Sequence, residues 1–228
     1  GFHFFGVGIQ VGNLDPTGIL NNENNTLKNI NISYNNIGYR QYGADSIANN
    51  MFNVWGSFNN YMLYLGHTDI TYGPTQSVHV FNFQSSHNAT DIYFNNYVTG
   101  LYIYGGRSEH AGKLIDSAGA NSGGPSVTLN NFMALAYPGT AEDPFIKLYM
   151  GGITAINSTF GVPGENEVTW RFPDTSGLTA TFIGCDFLGD YVLTWQDNVT
   201  IFPQNVRLSM YGNRFYTDST WRFLSDRS

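Results

Sequence analysis

The chain has 228 residues, a net charge of −7 from ten Lys plus Arg against 17 Asp plus Glu, 16% aromatic residues and 12% charged ones. A chain this acidic excludes a nucleic-acid partner, whose phosphates need a basic face, and no apolar run approaches the roughly 20 residues of a membrane-spanning helix. Cys185 stands alone, which excludes an intrachain disulfide and a cysteine metal cluster.

From the first residue, Gly1-Phe2-His3-Phe4-Phe5 has neither an initiator Met nor a basic leader and reads like the inside of a domain, as does the end at Arg227-Ser228. We therefore expect residues 1–228 to be a single domain, a piece of a longer chain. Gly6-Val7-Gly8 and Gly12 lack the following helix of a dinucleotide fingerprint, so no cofactor is expected. The best helical candidate is the short Gly43-Ala44-Asp45-Ser46-Ile47-Ala48. Otherwise short segments alternate with a period of two, as half-buried strands do. They cover Leu27–Ile32, Ser77–Phe83, Asp91–Phe94, Leu101–Tyr104, Ser126–Leu129, Ile146–Met150, Thr179–Phe182 and Val206–Met210. Asn35-Asn36, Asn95-Asn96, Asn130-Asn131, Gly151-Gly152 and Gly184 lie between them, and these residue types tolerate the left-handed backbone of a sharp bend. Gly105–Gly124 reads as a turn lengthened by a loop.

Near the C-terminus two unrelated motifs recur with nearly one period. Thr-Trp appears at Thr169-Trp170-Arg171, Thr194-Trp195-Gln196 and Thr220-Trp221-Arg222, the tryptophans 25 and 26 residues apart. Between these pairs run Ile156-Asn157-Ser158-Thr159-Phe160, Ile183-Gly184-Cys185-Asp186-Phe187 and Tyr211-Gly212-Asn213-Arg214-Phe215, with phenylalanines 27 and 28 apart. A strand, an Asn or Gly corner, a second strand and a longer loop, repeated at this length, predict a solenoid. The expected fold is all-β: a parallel β-helix of roughly eight or nine rungs, each about 4.8 Å above the last.

These Asn-rich, aromatic-rich rungs resemble the right-handed parallel β-helix of the pectin-lyase-like superfamily, particularly phage tailspikes and tail fibres. Tyr104–Ile115 and Ile153–Gly161 are most similar to rungs of that kind. The resemblance implies a homotrimer on a virion tail, a host-surface polysaccharide as ligand and, in many members, glycosidase or lyase activity. The paired-Asp plus Gly-His-Gly set of the polygalacturonase kind is absent. Three functions stay open: a virion receptor-binding protein that adheres to glycan, a polysaccharide-degrading tailspike, or a secreted bacterial enzyme of the same shape.

Site candidates follow from parity and charge. Val168, Trp170 and Phe172 share one face of their strand, so the three tryptophans are expected to form an internal stack. The outward strip is then Thr169, Arg171, Thr194, Gln196, Thr220 and Arg222, suited to repeated sugar hydroxyls or to a neighbouring subunit. Cleavage of a glycosidic bond needs two carboxylates flanking it. Among Glu109, Asp116, Glu142, Asp143, Glu165, Glu167 and Asp186, we single out Glu109, beside Arg107 and His110, with Asp116 as its candidate partner. His67 and His79 are too isolated for a metal site, and no metal is expected. The sequons at Asn24, Asn31, Asn88, Asn157 and Asn198 follow from Asn and Thr richness.

Overall fold

The computed structural model describes residues 6–12, 23–42, 46–66, 75–95, 98–118, 125–137, 139–142, 144–148, 151–162, 167–172, 179–196, 207–216 and 221–226. Every strand pair among them is parallel, and each strand pairs with the equivalent strand one turn later. The chain is a parallel β-solenoid.

One nine-stranded sheet stacks β1 (Val7–Val11), β3 (Ile37–Gln41), β6 (Tyr61–Leu65), β9 (Thr90–Phe94), β11 (Lys113–Ser117), β13 (Ile146–Lys147), β16 (Glu167–Phe172), β19 (Asp190–Gln196) and β22 (Trp221–Asp226). An 11-stranded sheet stacks β2 (Thr26–Ser33), β5 (Asn50–Ser57), β8 (Val78–Ser86), β10 (Leu101–Glu109), β12 (Ser126–Leu135), β14 (Gly152–Ile156), β17 (Thr179–Ile183) and β20 (Arg207–Tyr211), joined by β15 (Thr159–Gly161), β18 (Asp186–Leu188) and β21 (Arg214–Phe215). Among the described residues, turns with strands of at least three residues on every face number about six, fewer than the eight or nine expected, since β13 and β21 hold two residues each.

The larger sheet folds along a column of left-handed residues: Asn29, Asn53, Asn82, Gly105, Asn131, Asn157, Gly184 and Gly212, with φ from 48° to 73°. Only Gly, or Asn with its local hydrogen bonding, holds this backbone cheaply at every turn. The fold line divides the sheet into a first and a second face, and the nine-stranded sheet makes the third. Inward columns form the core, one of them Met51, Val80, Ile103, Leu129, Ala155 and Phe182 in register. The repeated phenylalanines stack as their spacing predicts, Phe160 on Phe187 at 5.5 Å and Phe187 on Phe215 at 5.3 Å.

Gly106 shows where the core tolerates no side chain. Its φ is 130°, and a Cβ would lie 2.0 Å from the Phe83 carbonyl oxygen, whereas at Gly105 a Cβ would meet nothing. Gly106→Ala is thus expected to cost well more stability than Gly105→Ala, roughly 3 kcal/mol against about 1, with a correspondingly larger fall in Tm. Equal Tm losses in the two variants would contradict this packing.

Two expectations are corrected. Ser46–Ile47 is not helical: it forms β4 and pairs with β7 (Thr75–Gln76), while Gly43–Asp45 lie outside the described residues. Within Gly105–Gly124, β10 and β11 take in residues 105–109 and 113–117, and 119–124 lie outside the described residues. The tryptophans do not stack in one column, since Trp170 faces Leu193, Trp195 faces Phe172, and Trp221 faces Tyr191. The cause is the unequal connection between the second and third faces. It is 162–166 before β16, Gly189 alone before β19, and 216–220 before β22. Parity does hold for Trp170, which is fully buried among Phe160, Phe182 and Tyr191 with ring centroids 5.2 to 5.6 Å away.

Candidate functional site

A second corner, between the second and third faces, carries a left-handed aromatic residue on four successive turns: Tyr34, Phe58, His87 and His110, with φ from 56° to 60°. Their rings stack in order at 4.9, 5.0 and 4.5 Å, and Tyr137 continues the column at 3.9 Å from His110. Such rings cover one another's faces, so the column offers edges rather than a flat platform.

Directly behind it runs a buried amide ladder. Asn59 Oδ1 accepts from the Asn35 backbone N–H at 2.9 Å, and Asn88 Oδ1 accepts from that of Asn59 at 2.8 Å. Asn59 Nδ2 donates to the Ile32 carbonyl at 3.0 Å. Each amide thereby satisfies backbone groups that the corner would otherwise leave buried and unpaired. The ladder ends where Ala111 takes the next position. There the Asn88 amide donates to the buried carboxylate of Asp91 at 3.0 Å, and Ser108 Oγ donates to its other oxygen. Burial pushes the Asp91 carboxyl up to about 6, against the lowering effect of the hydrogen bonds from Ser108, Ser85 and Asn88.

The outward column of the second face reads Asn31, Trp55, Gln84, Arg107, Met133, Thr159, Asp186 and Arg214. Trp55 is 57% exposed, and among the described residues no aromatic ring stacks on its indole. Beside it runs an exposed amide ladder, in which Asn53 Nδ2 donates to Asn29, Asn82 Nδ2 to Asn53 and Gln84 Nε2 to Asn82, at 2.8 to 3.1 Å. Further along, Gln84, Arg107, Asn131, Met133, Asn157 and Thr159 line a shallow depression of about 310 Å³ floored by Gly106 and Phe132. Successive rungs hold these groups at a fixed spacing of about 4.8 Å, so the donors need no reorganisation to meet an extended ligand.

Glu109 and Asp116 are set on different faces. Glu109 closes β10 at the edge of the second face and pairs with Arg107 at 3.1 Å. Asp116 points outward from the third face, 3.3 Å from Lys113 and 3.7 Å from Lys147. Lys113 also reaches Glu142 at 3.6 Å, so it is Asp116 and Glu142 that the fold brings together.

The Thr-Trp strip lies on the third face, with Thr169 and Arg171 partly exposed and Arg222 exposed. It is not a ladder of like residues. Thr169 faces Val192, which faces Arg222; Arg171 faces Lys147 and Thr194; Gln196 faces Asp226. Thr220 falls outside the described residues.

Sequence reasoning passed over Trp55 and Gln84. The available signal was parity: with Asn53 at the corner and Val54 turned inward, Trp55 must point out. No family model, curated protein or solved structure matches the chain.

Proposed function

We propose that the chain is the adhesive β-helix of a phage tail fibre or tailspike, and that its second face holds a host cell-surface polysaccharide. The observation that carries this reading is the exposed Trp55 indole, in one column with Gln84 and Arg107 and beside the amide ladder. An indole face packs against the apolar face of a sugar ring, while planar amides and a guanidinium meet its hydroxyls with directed hydrogen bonds. A net charge of −7 and few lysines suit a hydroxyl-rich partner better than a phosphate-rich one. The virion setting, rather than a secreted enzyme, rests on the rung resemblance.

Trp55→Ala and Arg107→Ala are each expected to weaken retention of the protein on immobilised bacterial capsular and O-antigen polysaccharides by about 10- to 30-fold, with Tm shifted little. Unchanged retention by both variants on a polysaccharide that holds the wild type would remove the second face from the mechanism.

We assign subunit contact in a homotrimer to the first face. Its outward column runs Lys28, Phe52, Phe81, Tyr104, Asn130, Ile156, Ile183 and Tyr211, apolar or aromatic but for Lys28 and Asn130, and leaves Tyr104 37%, Ile183 40% and Tyr211 62% exposed. The other two faces leave outward columns dominated by polar and charged side chains.

A degradative reading has one observation in its favour. Asp116 and Glu142 both contact Lys113, so these carboxylate oxygens are at most about 7 Å apart, near enough to meet one sugar unit. Glu142→Gln would abolish release of reducing ends from a bound polysaccharide under this reading, and an absence of such release from the wild type would remove it.

A further inference from the structure

The aromatic corner has a groove that the second-face reading does not use. Phe58, Asn60, His87, His110, Thr140 and Glu142 line it, and it encloses about 450 Å³. A bulky residue in the left-handed region costs about 1–2 kcal/mol, comparable to what one stacked ring pair returns. Stacking therefore does not by itself explain why the corner keeps aromatic residues where Gly would be free of strain, and retained strain of this kind gathers at functional sites.

The charges around the two histidines are unevenly matched. Glu142 pairs with Lys113, Asp116 with Lys113 and Lys147, and Glu109 with Arg107. On the inner side Asp91 is buried in its hydrogen bonds to Asn88 and Ser108. Tyr137 caps the stack, and Ser86 Oγ meets His87 Nδ1 at 2.7 Å. Among the described residues no carboxylate forms an ion pair with either imidazole. Protonating both rings, stacked at 4.5 Å, would place two cations together with no ion pair to either among the described residues, and Glu142 of the same groove is already held by Lys113.

We infer that this groove is a second saccharide site, separate from the Trp55 column, which takes a carboxylate-bearing sugar and binds it together with protons on His87 and His110. The inference rests on the saccharide-binding reading and adds the ligand's charge and its coupling to pH. By linkage, an anion that favours the protonated rings binds more tightly as pH falls through the range where histidine charges.

The test is calorimetric titration of the whole chain with a glucuronate-bearing oligosaccharide and with its carboxyl-reduced counterpart, at pH 8 and pH 5.5. Affinity for the carboxylated sugar should rise by about tenfold at the lower pH through proton uptake linked to binding. Affinity for the reduced sugar should not change. A His87→Gln/His110→Gln variant should lose the pH dependence, while Trp55→Ala should keep it. In wild-type protein the same ligand should raise the titration midpoints of both histidine ring resonances, a measurement that needs no variant to fold. The inference falls if the carboxylated sugar does not bind at pH 5.5, if both sugars share one pH slope, or if the ring midpoints stay put. Adhesion that depends on Trp55 but shows no pH slope would leave the second-face reading intact and overturn this one alone.

Discussion

Replacing Asp91 by Asn is expected to raise Tm at pH 8 and to change it little at pH 4. The wild-type carboxyl is fully buried, and its folded value of about 6 stands above the ordinary 3.8. The fold therefore favours the protonated acid. That contribution is fully present below about pH 4 and is lost as pH rises through 6, so at pH 8 the native state carries an unfavourable buried charge. The shift of about two units corresponds to roughly 3 kcal/mol. For a chain of this size that is on the order of 6–12 °C in Tm. Asn keeps the shape and can still accept from Asn88, while the Ser108 hydroxyl can turn to accept from the new amide. Effects of other acidic groups are common to both proteins and cancel in the difference. Thermal unfolding of the two at pH 4 and pH 8 decides it, and a variant less stable than wild type at pH 8 would show that the three hydrogen bonds outweigh desolvation.

Asn59→Ala is the second large effect, in the opposite direction. Asn59 Oδ1 serves both the backbone N–H and the side-chain amide of Asn35, at 2.9 and 3.2 Å, and Nδ2 serves the Ile32 carbonyl and Asn88. Truncation deprives several buried groups of a partner at once, and each costs about 1–3 kcal/mol. A total loss of roughly 3–5 kcal/mol is expected, in the range of a broken buried network. Asn53→Ala, at the exposed corner ladder, is the control. It forfeits two water-accessible hydrogen bonds, to Asn29 and from Asn82, and some left-handed tolerance, roughly 1–2 kcal/mol in all. Chemical denaturation that found the two variants equally stable would contradict the assignment of Asn59 to a buried structural ladder.

Parts of this architecture were legible in the chain because local chemistry repeats. The motif from Ile156 to Phe160 aligns turn on turn since its Asn or Gly sits at a bend that needs a left-handed residue, and the phenylalanine follows it at a fixed distance. The Thr-Trp pairs repeat almost as regularly but do not align, because an unequal connection separates them from that bend. Equal spacing along the chain is therefore not equal register. Glu109 and Asp116 show the same limit: close in sequence, they stand on opposite sides of a corner, while Glu142 comes to Asp116 from the following turn through Lys113.

By itself the sequence determined that the chain winds in parallel turns, that it bends between the first two faces at Asn131, Asn157, Gly184 and Gly212, and that Trp170 points inward, whereas the bends at Asn29 and Asn82 fall inside segments it read as unbroken strands. These follow from backbone sterics and period-two alternation, which act over a few residues. Only the tertiary structure decided which side chains share a column, because register integrates every connection length around a turn. It also decided that Asp91 is buried with its carboxyl raised, that Trp55, Gln84 and Arg107 form one exposed column, and that His87 and His110 stack with no ion pair to either among the described residues. Burial, charge pairing and ring contact are set by neighbours a full turn away, and no local pattern carries them.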